Sequence, residues 1–218
     1  LQLGILPDLG PATLPFEGEN MFALSSGIAR APGQVGFDKT KLCSGHGSFS
    51  TKPSAYPPGF PKNGDCGTSG TPNDGIALDL RIRVPSNAKS FKFNFRFFTC
   101  EFPNFVCGSF NDVFAVLMAP SPLEKGDPMA DKNNTSANIA FEASDSGKKN
   151  VIGVNNTSFL TACTTEKGST EKYVNCGGDE DLVGSGFDGH GGSAWLESQV
   201  PIPEFPKGAD RIISLRFA

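Results

Sequence analysis

The sequence predicts an all-β fold, a β-sandwich or jelly roll of antiparallel strands with long disulfide-stapled loops. Three observations carry that expectation. Gly and Pro supply 26 and 17 of the 218 residues, roughly one in five, and helix interiors tolerate neither well. Several short stretches alternate apolar and polar residues with the period of two that marks a half-buried strand. Six cysteines fall in Gly- and Pro-rich surroundings, as in domains stapled outside the reducing cytosol. With 38% hydrophobic residues and 19 Phe, the chain has enough apolar material for a sizeable core, and residues 1–218 read as one domain.

The first strand candidate in chain order is Met21 to Leu24, a short apolar run. From Leu78 to Val84, Leu78, Leu80, Ile82 and Val84 alternate with Asp79, Arg81 and Arg83, giving one apolar and one wet face. From Phe91 to Phe97 the pattern repeats more strongly, with Phe91, Phe93, Phe95 and Phe97 opposite Lys92, Asn94 and Arg96. The turn-rich connector Pro85 to Ser90 makes an antiparallel pairing of these two the economical expectation. Val113 to Met118 is continuously apolar, as a central strand covered on both faces would be. Weaker candidates are Asn138 to Glu142, Asn150 to Val154 and Arg211 to Phe217, where Ile213, Leu215 and Phe217 share a face. Long punctuated loops separate them at 37–73, 120–136 and 163–192, and neither an internal repeat nor a dividing linker is evident.

Charge and hydropathy narrow the partners. The 19 basic and 23 acidic residues give a net charge of -4, and the longest basic cluster is Lys148-Lys149, so nucleic acid is not an expected partner. No apolar run approaches the ~20 residues needed to span a bilayer. The chain begins at Leu1 without Met or a leader, as a mature or trimmed product would. The cysteines form three local pairs, Cys43 with Cys66, Cys100 with Cys107 and Cys163 with Cys176, none with Cys-x-x-Cys spacing. Sequential pairing closes short loops and implies a secreted, extracellular setting.

Candidate chemistry is sparse. The stretch from Gly177 to Gly189 is rich in Gly and Asp, the composition from which flexible loops build calcium sites, and equally that of a solvated acidic loop. The two histidines, His46 and His190, both lie in Gly-rich segments, and no Gly-x-Ser-x-Gly elbow accompanies them, so a secreted hydrolase is the least supported class. Trp195, with Phe102 and Phe105 in the loop between Cys100 and Cys107, could stack on a sugar ring in a carbohydrate-binding module; the apolar neighbours of Trp195 favour the core instead. Asn133, Asn134, Asn155 and Asn156 head overlapping glycosylation sequons, which matter only in a eukaryotic source.

The block Phe97-Phe98-Thr99-Cys100-Glu101-Phe102-Pro103-Asn104-Phe105-Val106, followed by Gly108-Ser109-Phe110-Asn111-Asp112-Val113-Phe114, resembles the secreted bacterial choice-of-anchor L domain. That family has an aromatic strand, an acidic-aromatic-Pro segment and Phe-Asn-Asp-Val-Phe leading into an apolar strand. Flanking landmarks follow in order: Gly4-Ile5, Ala23 to Gly27, Asn138-Ile139-Ala140, Val154-Asn155-Asn156 and Phe187-Asp188-Gly189. Two departures stand out. Cys100 occupies the place of a second acidic residue, with Cys107 nearby, and the chain stops at Ala218 where the family continues into another strand. The resemblance implies a non-catalytic, surface-attached β-domain of adhesive or matrix proteins. It also implies that carboxylates at strand ends, Glu101, Asp112 and Asp188 with Asp74, meet at one calcium ion, Asp112 serving equally well as a turn cap. The abrupt end at Ala218 leads to the expectation of an unpaired edge there, able to accept a strand from another copy in a filament or matrix.

Overall fold

The computed structural model describes residues 2–43, 75–102, 104–106, 112–143, 147, 149–155, 160–163 and 182–218. These form strands, joined by turns and one short 3-10 turn at Lys39–Lys41, and every strand pairing among them is antiparallel. No helix among the described residues is long and apolar enough to cross a membrane.

Strands β1 (Leu3–Leu6) and β2 (Met21–Leu24) make a two-stranded ribbon. Strands β3 (Leu78–Arg83), β14 (Ile212–Phe217), β7 (Val116–Ala119) and β8 (Ala137–Asn138) lie in that order in a four-stranded sheet. Strand β4 (Ser90–Phe95) pairs with β13 (Leu196–Pro201). Two three-stranded sheets complete the set. One is β6 (Val113–Phe114), β10 (Lys149–Gly153) and β9 (Phe141–Ala143); the other is β11 (Leu160–Cys163), β12 (Gly191–Ser193) and β5 (Phe98–Thr99).

Packed together, these sheets enclose one main core. Ile213 and Leu215 of β14, Val116 and Met118 of β7, Phe95 of β4, Val200 of β13 and Ile152 of β10 are all buried in it. The aromatic face of β4 joins the layers: the Phe93 ring meets Phe217 of β14 edge-on at 5.5 Å, and Phe95 lies 5.0 Å from Phe114 of β6. Such ring pairs add roughly 0.5–1.5 kcal/mol each to the area they bury. A second cluster of Leu6, Leu9 and Ala31 seats the β1–β2 ribbon against Phe98 and Phe187.

The structure corrects three expectations of pairing. β3 and β4 are not partners: the connector from Pro85 carries the chain from the four-stranded sheet to the β4–β13 pair. One apolar face on each strand suits side-by-side pairing and face-to-face packing equally, and Pro85 has no N–H to extend a ladder. The apolar run 113–118 is broken at Ala115, whose backbone exchanges hydrogen bonds with Ala218 at 2.7 and 2.9 Å, so β6 and β7 join different sheets. The same bonds remove the expected free edge at Ala218: β14 is flanked by β3 and β7, and among the described residues β3 is an edge strand of this sheet.

The cysteine pairing also differs. Cys43 is bonded to Cys100 across 57 positions, with Cα atoms 5.4 Å apart, so neither Cys43–Cys66 nor Cys100–Cys107 forms. Short loop closure was outweighed by docking of the N-terminal segment, whose turn after Asp38 brings Cys43 to the end of β5. Cys66, Cys107 and Cys176 lie outside the described residues, and with them the Cys163–Cys176 pairing.

Candidate functional site

The chemistry that the sequence singled out converges just beyond β5. β5 pairs with β12, Thr99 opposite Gly191, and the chain then turns through Cys100 and Glu101 to Phe102, which is 1% exposed. Glycine at 191 permits that turn: a Cβ there would lie 2.8 Å from Phe102 Cβ, Cγ and Cδ1. Asp112 immediately precedes β6, and its carbonyl accepts the Val154 N–H at 3.1 Å.

Three side chains close a ring at this junction. The Thr99 hydroxyl donates to Asp112 Oδ2 at 2.6 Å and its oxygen accepts the Glu101 N–H at 3.0 Å, while the Asp112 N–H donates to Glu101 Oε2 at 2.7 Å. Two carboxylates thus share a partly buried site. Burial, with the Asp112 charge beside it, pushes the Glu101 carboxyl up to about 7. Burial raises Asp112 as well, against the opposing effect of the Thr99 hydroxyl. A proton held between the two, or a cation, relieves the strain of two like charges.

Of the four carboxylates expected at one calcium ion, Glu101 and Asp112 meet. Asp188 does not join them: its carboxylate accepts the N–H groups of Gly184 at 3.0 Å and Gly186 at 3.2 Å, organising its own turn. Asp74 lies outside the described residues. Calcium takes six to eight oxygens, so the described carboxylates supply only part of a shell.

Beside this ring lies a second cluster. Sγ of Cys43, Sγ of Cys100 and an imidazole nitrogen of His190 all lie within 4.8 Å of one another, the one such group of three among the described residues. His190 Nδ1 is buried and has no hydrogen-bond partner among the described residues. Sequence reading placed His190 only as a potential base; its nearness to cysteine follows from the β5–β12 register and has no signal in residue spacing. His46 lies outside the described residues.

The proposed stacking residues separate. Phe102 is a core residue, a correction to its reading as a ligand platform, because a ring 1% exposed offers no face to a sugar. Phe105 is 44% exposed. Trp195 is half-buried, with the Phe16 ring 5.5 Å away and itself 51% exposed; Phe16 was not singled out in the sequence. Among the sequons, Asn133 is exposed, whereas Asn134 sits at φ 55° and its side-chain amide donates to the Leu123 carbonyl at 3.3 Å. Asn155 is partly buried and Asn156 lies outside the described residues.

Compared with protein-family models, curated proteins and solved structures, the chain matches none.

Proposed function

We propose that the chain is a non-catalytic extracellular adhesion or structural domain that associates with other copies of itself along the edge of β3, which no other described strand covers. The observation that supports this reading is the self-complementarity of that edge. Antiparallel pairing of β3 with β3 of a second copy, centred on Leu80, sets Asp79 opposite Arg81 twice by symmetry and Leu78 opposite Ile82 on the other face. Unpaired ladder groups are ready templates for such addition, and Leu80, 36% exposed, would be covered. Among the described residues the Arg81 side chain has no ion pair or hydrogen bond, and the Asp79 carboxylate has an exposed pair with Arg216 at 3.0 Å.

Calcium enters this reading through Glu101 and Asp112. A divalent ion replaces the proton between them and takes its remaining ligands from water, stiffening the junction of β5 and β6.

Sedimentation and light scattering test the association. Arg81→Asp and Asp79→Arg each place like charges in register and weaken it by roughly tenfold or more at low salt. The double variant Asp79→Arg/Arg81→Asp restores it. A chain that remains monomeric at about 1 mM overturns the proposal.

A carbohydrate-binding module is the second reading, favoured by the partly exposed Phe16–Trp195 ring pair. A glycan array separates it from the first.

A further inference from the structure

We propose that the Cys43–Cys100 bond and a zinc ion are alternative occupants of one cluster: once the bond is reduced, the two thiolates and the His190 imidazole bind Zn2+. The proximity is already built, since the two Sγ atoms and a ring nitrogen of His190 lie within 4.8 Å of one another. Backbone pairing holds it in place. The His190 N–H donates to the Phe187 carbonyl at 2.9 Å, and the next residue, Gly191, is laddered to Thr99, the neighbour of Cys100. Among the described residues nothing else takes up Nδ1 of the imidazole, which is buried and has no hydrogen-bond partner there.

The chemistry of the donor set points to zinc. Two thiolates and an imidazole are soft and borderline ligands, suited to Zn2+ and poorly suited to the calcium that oxygen ligands take. Zinc–sulfur bonds of ~2.3 Å in a tetrahedron place the sulfurs roughly 3.8 Å apart. Cα atoms 5.4 Å apart accommodate that separation by side-chain rotation once the covalent bond is gone. With three protein ligands the fourth position is left to water.

The exchange balances with a small dithiol as reductant. Its thiolate attacks the exposed Cys43 sulfur, Cys100 leaves as thiolate, and the second thiol of the reagent then displaces Cys43, closing a cyclic disulfide. Two electrons pass to the protein, whose two thiols release two protons as Zn2+ binds. The reverse exchange, with a disulfide reagent as the two-electron oxidant, re-forms the Cys43–Cys100 bond and expels zinc.

Cobalt titration of the full chain tests this. Protein reduced with excess dithiol and desalted without oxygen is titrated with Co2+, whose thiolate charge-transfer and tetrahedral d–d bands report the site, and is then displaced with Zn2+. The expected result is one equivalent bound in the reduced chain, none in the oxidised chain, and affinity at least about tenfold weaker in His190→Ala. That variant keeps all six cysteines, which separates this cluster from binding by the other four, and melting of its oxidised form verifies folding. Absence of the bands in the reduced chain, or an unchanged titration in His190→Ala, overturns the proposal.

Discussion

Glu101 carries the most informative single charge in the molecule. Its carboxyl is raised from 4.5 to about 7 by burial and by Asp112. A raised carboxyl binds its proton more tightly in the folded chain than in the unfolded one. Its contribution to stability is therefore fully present below about 4.5 and is lost as pH rises through about 7. Glu101→Gln keeps an oxygen to accept the Asp112 N–H but removes the titration. Thermal melting across this window should show the wild-type chain losing stability with rising pH and the variant losing less, with the variant the more stable at pH 8. Added calcium should raise the wild-type melting temperature at pH 8 and leave the variant nearly unchanged; equal shifts in both would detach calcium from this pair. Glu101 and Asp112 were legible because an aromatic, acidic block frames both. Asp188 was not separable from them, since a carboxylate that caps its own turn looks the same in sequence as one that reaches across a sheet.

Strands were legible where side-chain alternation is strict. β3, β4 and β14 follow their apolar period closely, and β2 and β10 fall where short apolar runs lie. β13 keeps the period but sets Ser198 on its inward face, 5% exposed, with its hydroxyl donated to the Ile139 carbonyl. A polar residue satisfied this way breaks the pattern a reader looks for. β12 is Gly191-Gly192-Ser193, a strand with almost no side chains to alternate, and its glycines exist because Phe102, Phe98 and Leu182 occupy the space. Gly191→Ala drives a methyl into the Phe102 ring. Overpacking of this kind costs about 1–3 kcal/mol, and denaturant melting should show it. Partner choice was the illegible part of the sheets. Two strands with the same face pattern and a short connector were read as neighbours, yet they belong to different sheets around one core.

At the scale of the whole molecule, the Cys43–Cys100 bond ties the segment that carries the β1–β2 ribbon to the end of β5. Closing a loop across 57 positions stabilises the folded state by about 4 kcal/mol in the chain-entropy model. Cys43→Ser/Cys100→Ser should lower unfolding stability by an amount of that order in urea melts, with an m-value increased by a more expanded unfolded chain. A loss under about 1 kcal/mol would mean that the ribbon holds its place through Leu6, Leu9 and Ala31 alone. Connectivity of this range leaves no trace in cysteine spacing, because it depends on where a distant segment docks. The seat of β14 between β3 and β7 has a consequence for biosynthesis. Both neighbours leave the ribosome long before the strand that fills the gap between them, so this sheet cannot close until β14 has been made. Productive folding of this sheet therefore waits for Ile212–Phe217 to clear the exit tunnel, and a nascent chain stalled before Ile212 should remain a client of chaperones that shield two sticky, half-matched edges.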